Sequence, residues 1–318
     1  MIRAFSTLLA LTLVAGSAAA SPRLLVVSRD EKALKSYDPV TYELQFTVKL
    51  PGDPHEVVAT PDGRFAFSSD FEGRDNTLSI IDLAEGKRVD GVKMDPYFKP
   101  HCLAITKDGS KVYVTCEASR AVVEFDVAAH KVGRVFRLTV DSAHMLALSP
   151  DEKWLLVTSQ WDNNVTIIDL EKGETRKSIA TGKGAESVTF TPDSKEAWVV
   201  NRTWQTLSII DMTTLKKVQT ISCEHNPMRA IVTPDGATVI VTSALSDEVA
   251  LVDRAKREVV GRIKTGDFPV GMALSKDGTR LYVTNLNGGD VAVIDLANRK
   301  VIHRLAVGGQ PEGIALVE

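Results

Sequence analysis

Hydrophobic and polar positions alternate in short runs along almost the whole chain, and the runs repeat. Leu24-Leu-Val-Val-Ser, Phe65-Ala-Phe-Ser-Ser, Val112-Tyr-Val-Thr-Cys, Leu155-Leu-Val-Thr-Ser, Ala197-Trp-Val-Val-Asn, Val239-Ile-Val-Thr-Ser and Leu281-Tyr-Val-Thr-Asn each lead to an aspartate. These are Asp38, Asp82, Asp126, Asp169, Asp211, Asp253 and Asp295, spaced 44, 44, 43, 42, 42 and 42 residues apart. Short β runs at a period near 40 are the mark of a propeller. The last full unit reads as four strands: Pro269 to Ser275, Leu281 to Thr284, Asp290 to Ile294 and Lys300 to Val307. A turn of the Pro-Asp-Gly or Lys-Asp-Gly type follows each first strand, at Pro61, Lys107, Pro150, Pro192, Pro234 and Lys276. Glycine there supplies a positive φ, and aspartate bonds the backbone ahead of it.

Six such turns occur where seven are expected. The residues from Pro311 to Val317 read as a first strand with nothing after it, and 23–50 supply three strands with nothing before them. The predicted fold is therefore all-β: a seven-bladed propeller of four antiparallel strands per blade, filling 21–318, with one blade shared between the termini. Sharing closes the ring and hides sheet edges.

Residues 1–20 stand outside this pattern. Arg3, an apolar stretch from Phe5 to Val14, and the small residues Ala15 to Ala20 read as a secretory signal peptide cut after Ala20. The expected location is the periplasm or the exterior. No other stretch is apolar and long enough to span a membrane.

Tyr282-Val-Thr-Asn, with Val293-Ile-Asp and the Lys-Asp-Gly turn before it, resembles the repeat of the YVTN family of seven-bladed propellers. Tyr113-Val-Thr-Cys, Leu156-Val-Thr-Ser and Ile240-Val-Thr-Ser are partial copies. The resemblance spans the mature chain and implies the fold and, often, export. It implies no single activity, although exported members frequently accompany redox enzymes.

Functional residues should break the repeat on the face where first strands begin, here called the top. The matched position entering each first strand is His55, His101, His144, Glu186, Met228, Val270 and Glu312. Half of the six histidines fall there. Imidazoles with carboxylates suit a single zinc, copper or iron ion, so His55, His101, His144, Glu186 and Glu312 are the candidate metal ligands. Arg29, Asp70, Glu117, Trp161, Arg202 and Arg229 are candidate ligand-binding residues on top loops or in the channel. His225 is a further candidate for the same face, whereas His130 and His303 read as surface and Trp154 and Trp198 as core.

Composition narrows the choice of function. With 38 basic and 41 acidic side chains the net charge is -3, which disfavours nucleic acid. No C-x-x-C-H occurs, excluding covalent c-type haem, and G-x-S-x-G and phosphate-loop motifs are missing too. Three cysteines, Cys102, Cys116 and Cys223, leave at least one unpaired. The leading expectation is an exported binding or scaffold module taking a small molecule or protein at the top face, an exported redox enzyme among the candidates. The alternatives are a metal-centred protein, and a lactonase-like hydrolase using His101 or His144 as base with Arg29, Arg202 or Arg229 at the oxyanion.

Overall fold

The structure is a computed structural model and describes residues 21–72 and 76–318. The predicted signal peptide lies outside the described residues. Seven four-stranded antiparallel sheets follow one another around a central channel. The innermost strands of the first six blades are Asp53–Ala59, Pro100–Ile105, Leu146–Leu148, Ala185–Phe190, Pro227–Val232 and Pro269–Leu274. The seventh blade is the shared one: Pro311–Val317 pairs with Arg23–Ser28, followed outward by Ala33–Tyr37 and Leu44–Lys49. Among the described residues no helix is long and apolar enough to cross a membrane.

Each second and third strand is buried almost throughout, and the outermost strands are mostly exposed. The core is therefore a set of apolar layers between adjacent blades. One such layer joins Trp198, Val200, Leu207 and Ile209 of the fourth blade to Val239, Val241, Ala250 and Val252 of the fifth. β-Branched residues dominate because they fit a pleated surface covered on both faces.

The recurrent aspartates close hairpins, as expected. Asp82 Oδ1 accepts from Ala84 N and Glu85 N, each at 2.9 Å. In the bottom turns a hydroxyl one position before the turn caps the aspartate: Thr60 Oγ1 to Asp62 at 2.5 Å, Thr106 to Asp108 at 2.6 Å, Ser275 to Asp277 at 2.6 Å. Gly63, Gly109, Gly236 and Gly278 hold φ between 65 and 71° there, and Glu152 and Ser194 adopt 58° at the same place.

The threonine of the repeat has a structural task that the sequence did not disclose. Thr284 Oγ1 accepts from Gly271 N of its own inner strand at 2.8 Å and donates to Glu312 O of the next blade at 2.9 Å. Thr115 bridges Cys102 N and His144 O at 2.8 Å each; Thr158 bridges Met145 N and Glu186 O; Thr242 bridges Arg229 N and Val270 O. Ser69 Oγ donates to His101 O at 2.5 Å. Each acceptor is the residue at the matched top position, so blade-to-blade joints set the height of the candidate site. Register shifts in the inner strands, as between Pro269 and Met272, free the backbone groups these hydroxyls use.

The first blade corrects an alignment. Strand pairing puts Phe65 opposite Asp82 and Lys111 opposite Asp126, so Phe65 matches Lys111 and not Val112. Ser69 is then the latch hydroxyl. Asp70 falls at the end of the second strand, where the sixth blade has Asn285, and not in a top loop.

Thr284→Val should cost about 1–3 kcal/mol in urea unfolding, since it strands a buried N–H and a buried carbonyl. Thr284→Ser should retain most of that stability.

Candidate functional site

Side chains from the shared blade and the first five blades converge at the top end of the channel. The side chain of Arg229 leaves the fifth inner strand and crosses to the first blade, where its Nη2 donates to Glu56 Oε1 at 2.6 Å. The same nitrogen lies 3.8 Å from Glu312 Oε1. Residue 271 of the blade between them is glycine; a Cβ there would sit 2.1 Å from Glu312 O. Burial strips water from Arg229, but Glu56, Glu186 and Glu312 outweigh that and hold its pKa above the usual arginine value.

On one side of this axis stand Arg29, Asp53, His55, His101 and Glu312. Arg29 forks onto Asp53, with Nε at 3.1 Å from Oδ1 and Nη2 at 2.8 Å from Oδ2, and its Nη1 lies 3.3 Å from Glu312 Oε2. His55 lies between Asp53 Oδ2 at 3.6 Å and Glu312 Oε1 at 3.5 Å. Burial opposes charging of His55, but these carboxylates overcome it and push its pKa up to about 9. The charged ring donates from Nδ1 to His101 Nε2 at 3.1 Å. His101 in turn lies with Nδ1 3.2 Å from His144 O. Burial, then the charges on His144 and His55, hold His101 well below the normal histidine range, so it stays neutral. Its ring packs on His144 at 4.6 Å, His55 at 4.9 Å and Phe71 at 4.8 Å.

On the other side stand Glu117, His144, Gln160, Glu186 and Arg202. His144 Nδ1 faces Glu117 Oε1 at 3.3 Å, and its Nε2 faces Glu186 Oε1 at 3.3 Å. Burial again opposes the charge, and the two carboxylates prevail, so its pKa rises. Gln160 Nε2 donates to Glu186 Oε2 at 2.7 Å and lies 2.7 Å from His144 Nε2. Arg202 reaches Asn226 Oδ1 at 3.0 Å and comes within 3.8 Å of Glu186.

The candidate metal ligands are thus gathered at one mouth but divided into two groups. His55, His101 and Glu312 form one; His144 and Glu186 form the other. His144 turns both ring nitrogens to its own carboxylates. Among the described residues, no group of three or more His, Cys, Asp or Glu side chains is arranged to hold a metal ion.

The remaining candidates scatter. Asp70 is buried within its blade and accepts from Thr77 Oγ1 at 2.5 Å and Ser79 Oγ at 2.8 Å. Trp161 stands on the rim, 75% exposed, and Trp204 is 56% exposed. His225 stays in its own loop, 3.7 Å from Glu224 Oε2. His130 pairs with Asp90 at 3.2 Å and His303 stacks on Tyr42 at 4.0 Å. Trp198 is fully buried and Trp154 partly so. All three cysteines are free and buried, and burial pushes each thiol up to about 12. Sequence reasoning missed Asp53 and Glu56. Glu56 follows the ring position, where the other blades have Cys102, Met145, Ser187, Arg229, Gly271 and Gly313. One acid and one base in that set is the signal that could have found the axial pair.

Residues 149–274 match the sequence profile of the YNCE-like beta-propellers. No curated protein sequence matches the chain. Solved structures share the fold at low identity. A chain of Kuenenia stuttgartiensis hydrazine synthase superposes with a TM-score of 0.74 at 21% identity, covering 83% of this chain and 89% of that one. A putative 6-phosphogluconolactonase from Bacteroides uniformis gives 0.76 at 14%, covering 94% and 100%. The dihydro-heme d1 dehydrogenase NirN, solved in complex with DHE, gives 0.69 at 17%, covering 92% and 74%. Such varied relatives fix the architecture and leave the activity to the site.

Two outcomes follow from the charges. Arg229→Ala should cost about 3–5 kcal/mol by leaving buried carboxylates uncompensated, and a combined Arg229→Met, Glu56→Met variant should recover much of it in chemical unfolding. His55 is charged more readily folded than unfolded. Its contribution should therefore be full below its unfolded pKa of about 6.5 and fade as pH rises through about 9. Thermal midpoints across that window should fall more steeply for the wild type than for His55→Gln.

Proposed function

On a seven-bladed propeller with YVTN-like blades, we propose that the chain is an exported binding module whose ligand docks at the channel mouth. The observation that carries this reading is the convergence there of acidic and basic side chains from six blades, paired with one another in a single network. Such a preformed polar surface recognises by hydrogen bonding and needs no chemistry of its own. Its rim also carries the partly exposed guanidiniums of Arg29 and Arg202, 27% and 39% exposed. The proposed location outside the cytoplasm follows from the leader-like residues 1–20.

Two features weigh against the alternatives. For a metal centre, His55 and His101 spend facing nitrogens on each other, and His144 spends both on carboxylates. For a lactonase, the candidate base His144 faces Glu117 and Glu186, and the other, His101, is 3% exposed and walled by His55, Phe71 and His144. A substrate carbonyl has no approach to it.

The test is a thermal-shift panel of dicarboxylates, sugar lactones and oligosaccharides on the purified chain, with elemental analysis and lactone hydrolysis measured alongside. A ligand at a hundred times its Kd adds about 2.7 kcal/mol, a readily seen shift. One class should raise the midpoint of the wild type and fail to raise that of Arg202→Ala. Stoichiometric zinc, copper or iron lost in the His55/His101/His144 triple alanine variant would overturn the reading. So would lactone turnover lost in His101→Ala.

A further inference from the structure

We propose that the sector of the mouth between the third and fourth blades is a subsite for a neutral polyhydroxylated ring, a sugar residue, gripped by Trp161 and Trp204. This rests on the binding reading above and narrows it.

The two indoles occupy comparable places, on the loops that follow the second strands of adjacent blades. Both loops are tied to one ribbon, residues 181–184. Asn163, two residues after Trp161, accepts from Thr181 N at 3.0 Å through its carbonyl and from Gly184 N at 2.8 Å through Oδ1. From the other side Arg202 N donates to Gly184 O at 2.8 Å, and Trp204 N donates to Lys183 O at 3.2 Å. Trp204 packs against this ribbon closely enough that a Cβ on Gly182 would meet its ring at 2.9 Å. The ribbon is thereby flanked by two large apolar surfaces left in water.

Of the four tryptophans, Trp198 is fully buried and Trp154 partly so, whereas these two indoles are left 75% and 56% exposed. A paired exposure at comparable positions is a surface kept open for a partner. The residue before Trp161 is Gln160, and two before Trp204 is Arg202. Their polar groups meet at Glu186, beside His144. This floor joins an amide, a carboxylate and an imidazole within hydrogen-bonding reach, with a guanidinium 3.8 Å from the carboxylate. It can donate and accept at closely spaced points, which vicinal hydroxyls require.

Charge selects against other ligands. Glu117 and Glu186 already face His144, and Glu186 also has Arg202 nearby, so the charged groups of the floor are answered from within it. An indole presents a rigid apolar face, which fits the C–H face of a pyranose while its hydroxyls turn to the floor. An apolar loop of another protein would use the indoles but would leave the polar floor unanswered.

The test is titration of the purified full chain with maltohexaose, cellohexaose and chitohexaose at millimolar concentration, followed by tryptophan emission and calorimetry. At least one should saturate and shift the emission. Trp161→Ala and Trp204→Ala should each weaken binding by about tenfold or more, with thermal midpoints near wild type. Trp161→Tyr should regain part of the loss, and Trp154→Phe should leave the affinity unchanged. The proposal is overturned if none of the three sugars saturates, or if both alanine variants bind as the wild type does. A dicarboxylate or lactone that binds through Arg202 while every sugar fails would sink this subsite and leave the binding reading standing. Binding of a protein through the indoles, with no sugar bound, would also overturn it.

Discussion

The mouth of this propeller depends on one buried cation. Arg229 carries the positive charge that favours the ionised forms of Glu56, Glu186 and Glu312 at one end of the channel; Glu186 and Glu312 are held below the usual glutamate value, while burial keeps Glu56 above it. Taking such a group out of water costs several kcal/mol, and only close opposite charge and hydrogen bonds offset it. The offset comes from blades far apart in sequence, since Glu56 and Arg229 are 173 residues distant. The ion pair is thus also a tie across the ring. Remove its charge, and three carboxylates would raise one another's pKa, loosening the histidines they hold.

Above this tie the histidines separate into unlike roles. His55 and His144 have their pKa values raised because each sits between two carboxylates, which outweigh burial. His101, between those two rings, is held well below the normal histidine range, first by burial and then by its two neighbours. Matched positions in a repeat therefore do not mean matched chemistry. The backbone beneath them is nonetheless uniform. The threonine latches fix the carbonyls of His144, Glu186, Val270 and Glu312 to preceding blades, with Ser69 serving His101. Side chains at the ring can vary while the scaffold stays put, which is how one fold supports unrelated sites.

Much of this was legible in the sequence, for physical reasons. The Pro-Asp-Gly turns and closing aspartates act over two or three residues, so local pattern discloses them. The shared blade was legible because strand counting is arithmetic. The ring of His55, His101, His144, Glu186 and Glu312 was legible because the repeat aligns it. What stayed hidden acts across the channel or hangs on a one-residue register. Glu56 and Arg229 meet through space, with nothing local to mark them. Asp70 was misplaced because Phe65-Ala-Phe-Ser-Ser aligns equally well one residue off, and only pairing with Thr77–Asp82 decides. The grouping of five ring residues into two clusters depends on rotamers, which no spacing encodes.

The shared blade also sets an order of events in time. Its inner strand, Pro311–Val317, pairs with Arg23–Ser28 from the opposite end of the described chain. Gln310 O takes Arg29 N, and Gly309 O takes the Ser28 hydroxyl. That same strand brings Glu312 to the mouth, beside the Arg29 and His55 it must meet. Six blades can pair their own strands before that strand is present. The ring remains open, and the mouth lacks a wall, until its last strand is delivered. The mouth and the closure are therefore completed in a single late step, so a chain caught before that step is at once unsealed and without one wall of its mouth.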